Sequence, residues 1–186
     1  MTAIERLWED FQLPIRDALH RADGRSYDIN LDSDAPSGFR VLAPFDLDEM
    51  LDRDPSWATS VDGLVAADLG SKGLLWGGEG SYGSEGFIAR LTVDRALTWA
   101  ILFTESNPFD RIQLSGNTAT FGSTSGVEIT VDIDDPGTSA YGGTTNCRRC
   151  PAPWPPPRPP LRLLFEHAPD ACSAAARCRG GPMRRP

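Results

Sequence analysis

The sequence predicts an α+β domain in which an N-terminal amphipathic helix packs on a curled antiparallel sheet of about seven to nine strands. Three observations predict it. At the start of the chain, apolar residues recur at spacings of three and four, the period of a helix. After Gly24 the period becomes two, the alternation of a strand with one buried face. The connections between the later apolar runs are short and rich in Gly, Asn and Asp. Such connections suit hairpins between antiparallel neighbours, because parallel strands need long crossovers.

Thr2 and Glu5 have the form of a capping box, each side chain satisfying a backbone N–H at a helix start. Ile4, Leu7, Trp8, Phe11, Ile15, Ala18 and Leu19 then form one apolar stripe. Pro14 has no N–H for the helix ladder and is expected to kink this helix or to start a second one; Gly24 is expected to cap its end. Tyr27, Ile29 and Leu31 alternate with polar residues, and 39–42 is a second short apolar run. Asp46, with Glu49 three residues on, caps a short helix over 46–52. Strands are expected at 62–69, 73–77, 86–93, 97–104, 110–115, 118–123 and 127–133, with hairpins at 69–73, 93–96 and 115–117. In the last strand Val127, Ile129, Val131 and Ile133 alternate with Glu128, Thr130, Asp132 and Asp134, so one face is core and the other wet. Leu97, Trp99, Ile101 and Phe103 alternate as well, but Ala100 and Leu102 make the second face apolar. That strand belongs at the centre, covered on both sides, with the N-terminal helix as one cover.

The composition changes abruptly near residue 145. The chain before it holds 24 of the 26 acids and 10 of the 18 basic residues, a formal charge of 10 − 24 = −14, and no cysteine. The remainder holds all four cysteines, 10 of the 16 prolines and a charge of 8 − 2 = +6. The last strand ends near Ile133, and Asp135-Pro136-Gly137 leads into a loop, so 1–136 is expected to be a single acidic domain and 137–186 a disordered Pro/Arg/Cys-rich tail. Such a mixture is also what a GC-rich gene yields when read out of frame, so a frameshifted or read-through C-terminus is the leading expectation for it. A disordered basic linker is the second reading; the third is a zinc knuckle of the Cys147-x-x-Cys150 pair with His167, Cys172 and Cys178, whose halves seven prolines in 151–160 separate.

Gly78, Gly80 and Gly83 match the G-x-G-x-x-G pattern formally. A dinucleotide site needs that turn to open a helix, whereas here a strand is expected to follow, and Glu79 and Glu85 would oppose a phosphate. Residues 76–86 are instead a strand connection that could act as a lid over a ligand groove, which makes Trp57, Trp76, Glu79, Tyr82 and Glu85 the candidate ligand- or partner-binding residues. Acid pairs recur, and Asp32, Asp34, Asp132 and Asp134 are the positions at which ligands for a hard cation would be sought. Solvated faces are their simpler reading, and no metal or other cofactor is expected. His20 is the one histidine of the body and is expected near a helix C-terminus, in a structural role; no G-x-S-x-G elbow and no body cysteine accompany it, so no catalytic set is expected.

The start, MTAIERLWED, has acids where a secretion signal has basic and apolar residues, and the longest apolar run of the body is 99–103. A cytoplasmic bacterial protein is expected, with no membrane contact. The negative field disfavours nucleic-acid binding through the body and favours encounter with a basic protein. The expected function is an acidic, non-enzymatic interaction protein, such as an immunity or antitoxin-like partner of a basic toxin. The alternatives are a small-ligand-binding β domain and a carboxylate- or metal-dependent hydrolase.

Overall fold

The computed structural model describes residues 1–137. The tail, with its cysteines, its C-x-x-C and its frame question, lies outside the described residues. Eleven strands and two short helices follow in the order α1 (Ala3–Glu9), β1 (Gln12–Pro14), β2 (Ala18–Arg21), β3 (Ser26–Leu31), β4 (Phe39–Phe45), α2 (Leu47–Arg53), β5 (Ala58–Asp68), β6 (Leu74–Gly80), β7 (Gly86–Leu91), β8 (Leu97–Phe103), β9 (Phe109–Ser115), β10 (Thr118–Ser123) and β11 (Glu128–Asp132). An eight-stranded sheet has the order β1-β5-β6-β7-β8-β2-β3-β4, and a separate three-stranded sheet the order β11-β10-β9. Every pairing is antiparallel. Among the described residues no helix is long and apolar enough to cross a membrane.

The helix α1 starts as its capping box dictates: the Glu5 N–H donates to Thr2 Oγ1 and the Thr2 N–H to Glu5 Oε2, at 3.3 and 2.8 Å. It ends early. The Asp10 N–H bonds back to Leu7 O, the Phe11 N–H bonds to Trp8 O, and Phe11 turns into the left-handed region at φ 52°. The helical stripe expected to run through Leu19 therefore stops at Trp8, and the segment expected to be helical beyond it forms β1 and β2. Leu13, Ala18, Leu19 and His20 are buried on β1 and β2, and β2 lies between β8 and β3 with both faces covered. A strand buried on both sides shows no alternation, so its apolar residues can mimic a helical stripe. Gly24 accordingly closes a β2–β3 hairpin, not a helix.

Later elements follow the alternation, but β5 starts at Ala58 and β6 runs to Gly80, beyond the expected 62–69 and 73–77, so the first half of the expected 76–86 connection is strand. Asp46 caps α2 by accepting the Glu49 N–H, and the turns at 69–73, 93–96 and 115–117 join β5–β6, β7–β8 and β9–β10. The final three strands leave the main sheet and lie against its face. Phe109, Phe121, Ile129, Val131 and Ile133 meet Leu19, Ile29, Leu75, Ile88, Trp99, Ile101 and Phe103 there in one core. On the opposite face Ala3, Ile4 and Trp8 of α1, with Leu47 of α2, cover a second core of Leu13, Val61, Phe87, Ala89, Leu91, Leu97, Ala100 and Leu102. Strand β8 sends Trp99, Ile101 and Phe103 into one core and Ala100 and Leu102 into the other, as its two apolar faces require. The result is three layers: helices, an eight-stranded sheet and a three-stranded sheet.

Polar bonds lock the layers. The Ile133 carbonyl accepts from Trp99 Nε1 at 3.0 Å and from Arg90 Nη1 at 2.9 Å, while Arg90 also pairs with Asp134 and Arg21 with Asp135. The Thr130 N–H reaches the Ser37 carbonyl at 2.9 Å.

Candidate functional site

Trp76 projects from β6 onto the helix side of the main sheet. Its indole lies over Gly63, where a Cβ would sit 1.7 Å from Nε1, so the close approach requires glycine at that position. Trp8, Phe11 and Phe87 surround it: ring centroids lie 5.9 Å from Trp8, 5.9 Å from Phe11 and 5.6 Å from Phe87, all edge-to-face. That geometry aims the positive edge of one ring at the negative face of the next and adds about 0.5–1.5 kcal/mol per pair beyond area burial. Trp8 and Phe87 are buried, but Phe11 remains 53% exposed.

Beside this cluster opens a cleft of about 730 Å³. Its floor and walls are Trp8, Phe11, Trp76, Ala66, Leu74, Leu91, Ala96, Leu97 and Met1, and its rim carries Glu5, Glu9 and Asp94 against Arg95. The backbone N–H of Thr2 holds the Glu5 carboxyl below its ordinary pKa, so this group stays ionised. Arg95 has no carboxylate within ion-pair distance among the described residues, whereas eight of the ten lysines and arginines in 1–137 do. Residues 1–10 and 46–54, which build the helix layer, hold eight carboxylates against Arg6 and Arg53, a net 2 − 8 = −6.

Of the five candidate binding residues, Trp76 lines the cleft and the other four do not. Trp57 is half exposed and donates its indole N–H to the Ile15 carbonyl at 2.6 Å. Tyr82 is exposed on the β6–β7 turn. Glu79, on β6, stands opposite Asp62 and Gly86. Glu85 is 3% exposed, and its Oε2 accepts from Thr59 Oγ1 at 2.9 Å and from the Tyr82 N–H at 3.3 Å. Residues 81–85 are thus a hairpin turn fastened by a buried carboxylate, set apart from the cleft, and the three glycines of the G-x-G-x-x-G lie on β6 and this turn with a strand following.

The acid pairs are held locally. Asp32 accepts from Arg40 and from the Asp34 N–H, and Arg40 holds its carboxyl below the usual range. Asp132 accepts from Asn117 Nδ2 and the N–H groups of Asp134 and Asp135, and Arg90 depresses the Asp134 pKa. Among the described residues no group of three or more His, Cys, Asp or Glu is placed to hold a metal ion.

His20 occupies β2, not a helix end. It is fully buried, its Nδ1 lies 2.9 Å from Ser26 Oγ, and Nε2 has no partner among the described residues. Burial, and secondarily Arg16, pushes its pKa down to about 3, so the ring is neutral near pH 7. An enclosed imidazole of such low basicity is a poor general base.

Sequence reasoning singled out Trp76 but missed Phe11, Leu74, Leu91 and Leu97 as its neighbours. Phe11 and Trp8 stood in the helical stripe, and the leucines gather only because β6, β7 and β8 are adjacent. Searches against protein-family models, curated proteins and solved structures found no match to this chain, so its chemistry is read from its own residues.

Proposed function

We propose that this domain is a non-enzymatic interaction module that binds a basic protein partner through its helix-side face, in the manner of an immunity or antitoxin protein that neutralises a basic toxin. The supporting observation is the coincidence of an open apolar cleft with an acidic rim: Trp76, Phe11 and Leu74 line a surface whose rim carries Glu5, Glu9 and Asp94 against Arg95. Apolar anchors surrounded by charge are the usual anatomy of an interface, with the anchors supplying affinity and the charges supplying steering and orientation. The body charge of 10 − 24 = −14 extends that field over the whole domain.

A basic protein that co-purifies with the full chain at low salt, and whose affinity for it falls steeply as salt is raised, is the expected result. Charge reversal at Glu9 and Asp94 is expected to weaken the purified pair. A chain that retains no basic partner at low salt contradicts the proposal.

The second reading is a small-ligand-binding domain. The cleft favours it too, since about 300–1,000 Å³ is the usual volume of a site for a small organic molecule. An uncharged apolar ligand that saturates the cleft and raises thermal stability independently of salt would replace the first reading.

A further inference from the structure

The geometry points to Phe11 as the anchoring contact of the cleft, and to an amphipathic helix of the basic partner as its occupant. This rests on the basic-partner reading above and names what that partner presents. Its apolar side chains pack on Phe11, Trp8 and Trp76, and a lysine or arginine meets the carboxylates of Glu5, Glu9 and Asp94.

Phe11 is placed against its own conformational preference. Its φ of 52° is a region that glycine or asparagine enters readily and phenylalanine does not. The Phe11 N–H is fixed to Trp8 O and its carbonyl accepts the Val61 N–H at 2.8 Å, so the backbone is set by its surroundings whatever the side chain. The ring does not recover the cost by burial, since half of it faces solvent. Of the three non-glycine residues with positive φ among the described residues, two, Phe11 and Arg95, border this cleft; the third, Asn107, is of a type suited to that region. Unfavourable backbone conformations concentrate where a side chain serves a ligand.

The occupant follows from what the cleft offers. Strands β6, β7 and β8 are interior strands of the sheet, so no strand can add where Leu74, Trp76, Leu91 and Leu97 line the cleft, and the walls there are side chains alone. A helix satisfies its own backbone and needs only an apolar stripe to bind such a wall. Glu5, Trp8 and Glu9 fall at spacings of three and four on α1, so one face of that helix forms a wall along which a second helix can lie. Trp76 and Phe11 line the cleft beside three carboxylates, Glu5, Glu9 and Asp94, which favour a cation beside the apolar stripe.

The test uses the full chain and a short peptide of leucine and lysine patterned as an amphipathic helix, beside a peptide of equal charge with every leucine replaced by glutamine. Binding is read by calorimetry and by tryptophan emission. The leucine peptide is expected to bind one-to-one and to shift the emission. Phe11→Asn is expected to weaken it by at least about tenfold while the variant keeps its circular dichroism and a cooperative urea transition. The double variant Glu9→Gln/Asp94→Asn, altered only at exposed positions, is expected to weaken binding and to flatten its salt dependence. If both peptides bind equally and Phe11→Asn binds as well as the parent chain, the cleft is not the anchor, and the basic-partner reading survives without it. If neither peptide binds at low salt, that reading falls as well. If octylammonium alone binds as tightly as the leucine peptide, the cleft takes a small organic cation and the helical occupant is refuted.

Discussion

Replacing His20 with asparagine is expected to flatten the acid side of the stability curve. His20 is buried and neutral, with its pKa lowered from 6.5 to about 3 by burial first and by Arg16 second, Asp28 opposing. A group whose folded pKa is depressed contributes stability above its unfolded pKa and loses it as the pH falls toward the folded value. Below pH 6.5 the unfolded chain therefore gains a proton that the folded chain cannot accept. The slope approaches about 1.4 kcal/mol per pH unit, so the whole window down to about pH 3 is worth roughly 5 kcal/mol. Between pH 7 and pH 5, where few carboxylates titrate, the imidazole alone accounts for about 2 kcal/mol. Urea transitions followed by tryptophan fluorescence at pH 7, 6 and 5 measure it in the parent chain and in His20→Asn. Asparagine can still reach Ser26 but does not titrate, so the parent is expected to lose about 2 kcal/mol more than the variant over this range. Parallel losses in the two proteins would show that His20 is protonated in the folded state and that its enclosure is wrong.

Other perturbations test the packing around the cleft and the turn. Gly63→Ala places a Cβ 1.7 Å from Trp76 Nε1; it is expected to cost about 1–3 kcal/mol in urea titrations and to shift tryptophan emission as the indole is displaced. Glu85→Ala leaves the Thr59 hydroxyl and the Tyr82 N–H without their buried acceptor, at about 1–3 kcal/mol for each group left unpaired; unchanged stability would mean that the carboxylate does not fasten the turn. Arg90→Ala removes the bonds to the Ile133 carbonyl and Asp134 and is expected to cost about 1–3 kcal/mol, read as a lower urea midpoint and faster amide exchange around Ile133.

The sequence was most legible where the alternation was one-sided and the turn chemistry explicit. The span of β10, the bounds of β9 and β11 to within a residue, and the Ser115-Gly116-Asn117 turn are all legible in the alternation and turn residues alone. Thr2, Glu5 and Asp46 announced their helix starts because capping is a local interaction between residues three apart. Strands β1 and β2 were hidden for the opposite reason. Ala18, Leu19 and His20 are all buried, so no polar face marks the period, and Pro14 fits the edge of a sheet as readily as the start of a helix. The separation of β9, β10 and β11 into a second sheet was equally hidden, because a hairpin pattern does not say which face the hairpin covers. The cleft depends on the sheet order: Leu74, Leu91 and Leu97 meet Phe11 only after β6, β7 and β8 lie side by side under α1.

Amide hydrogen exchange, measured on the full chain with and without its purified basic partner, locates the binding face. With saturating partner, slowed exchange is expected at Ala3–Glu9, at Phe11 and across the β7–β8 turn that carries Asp94 and Arg95, with the three-stranded sheet unaffected. Protection confined to β9, β10 and β11, or no protection at saturation, would contradict a partner site at the acidic cleft.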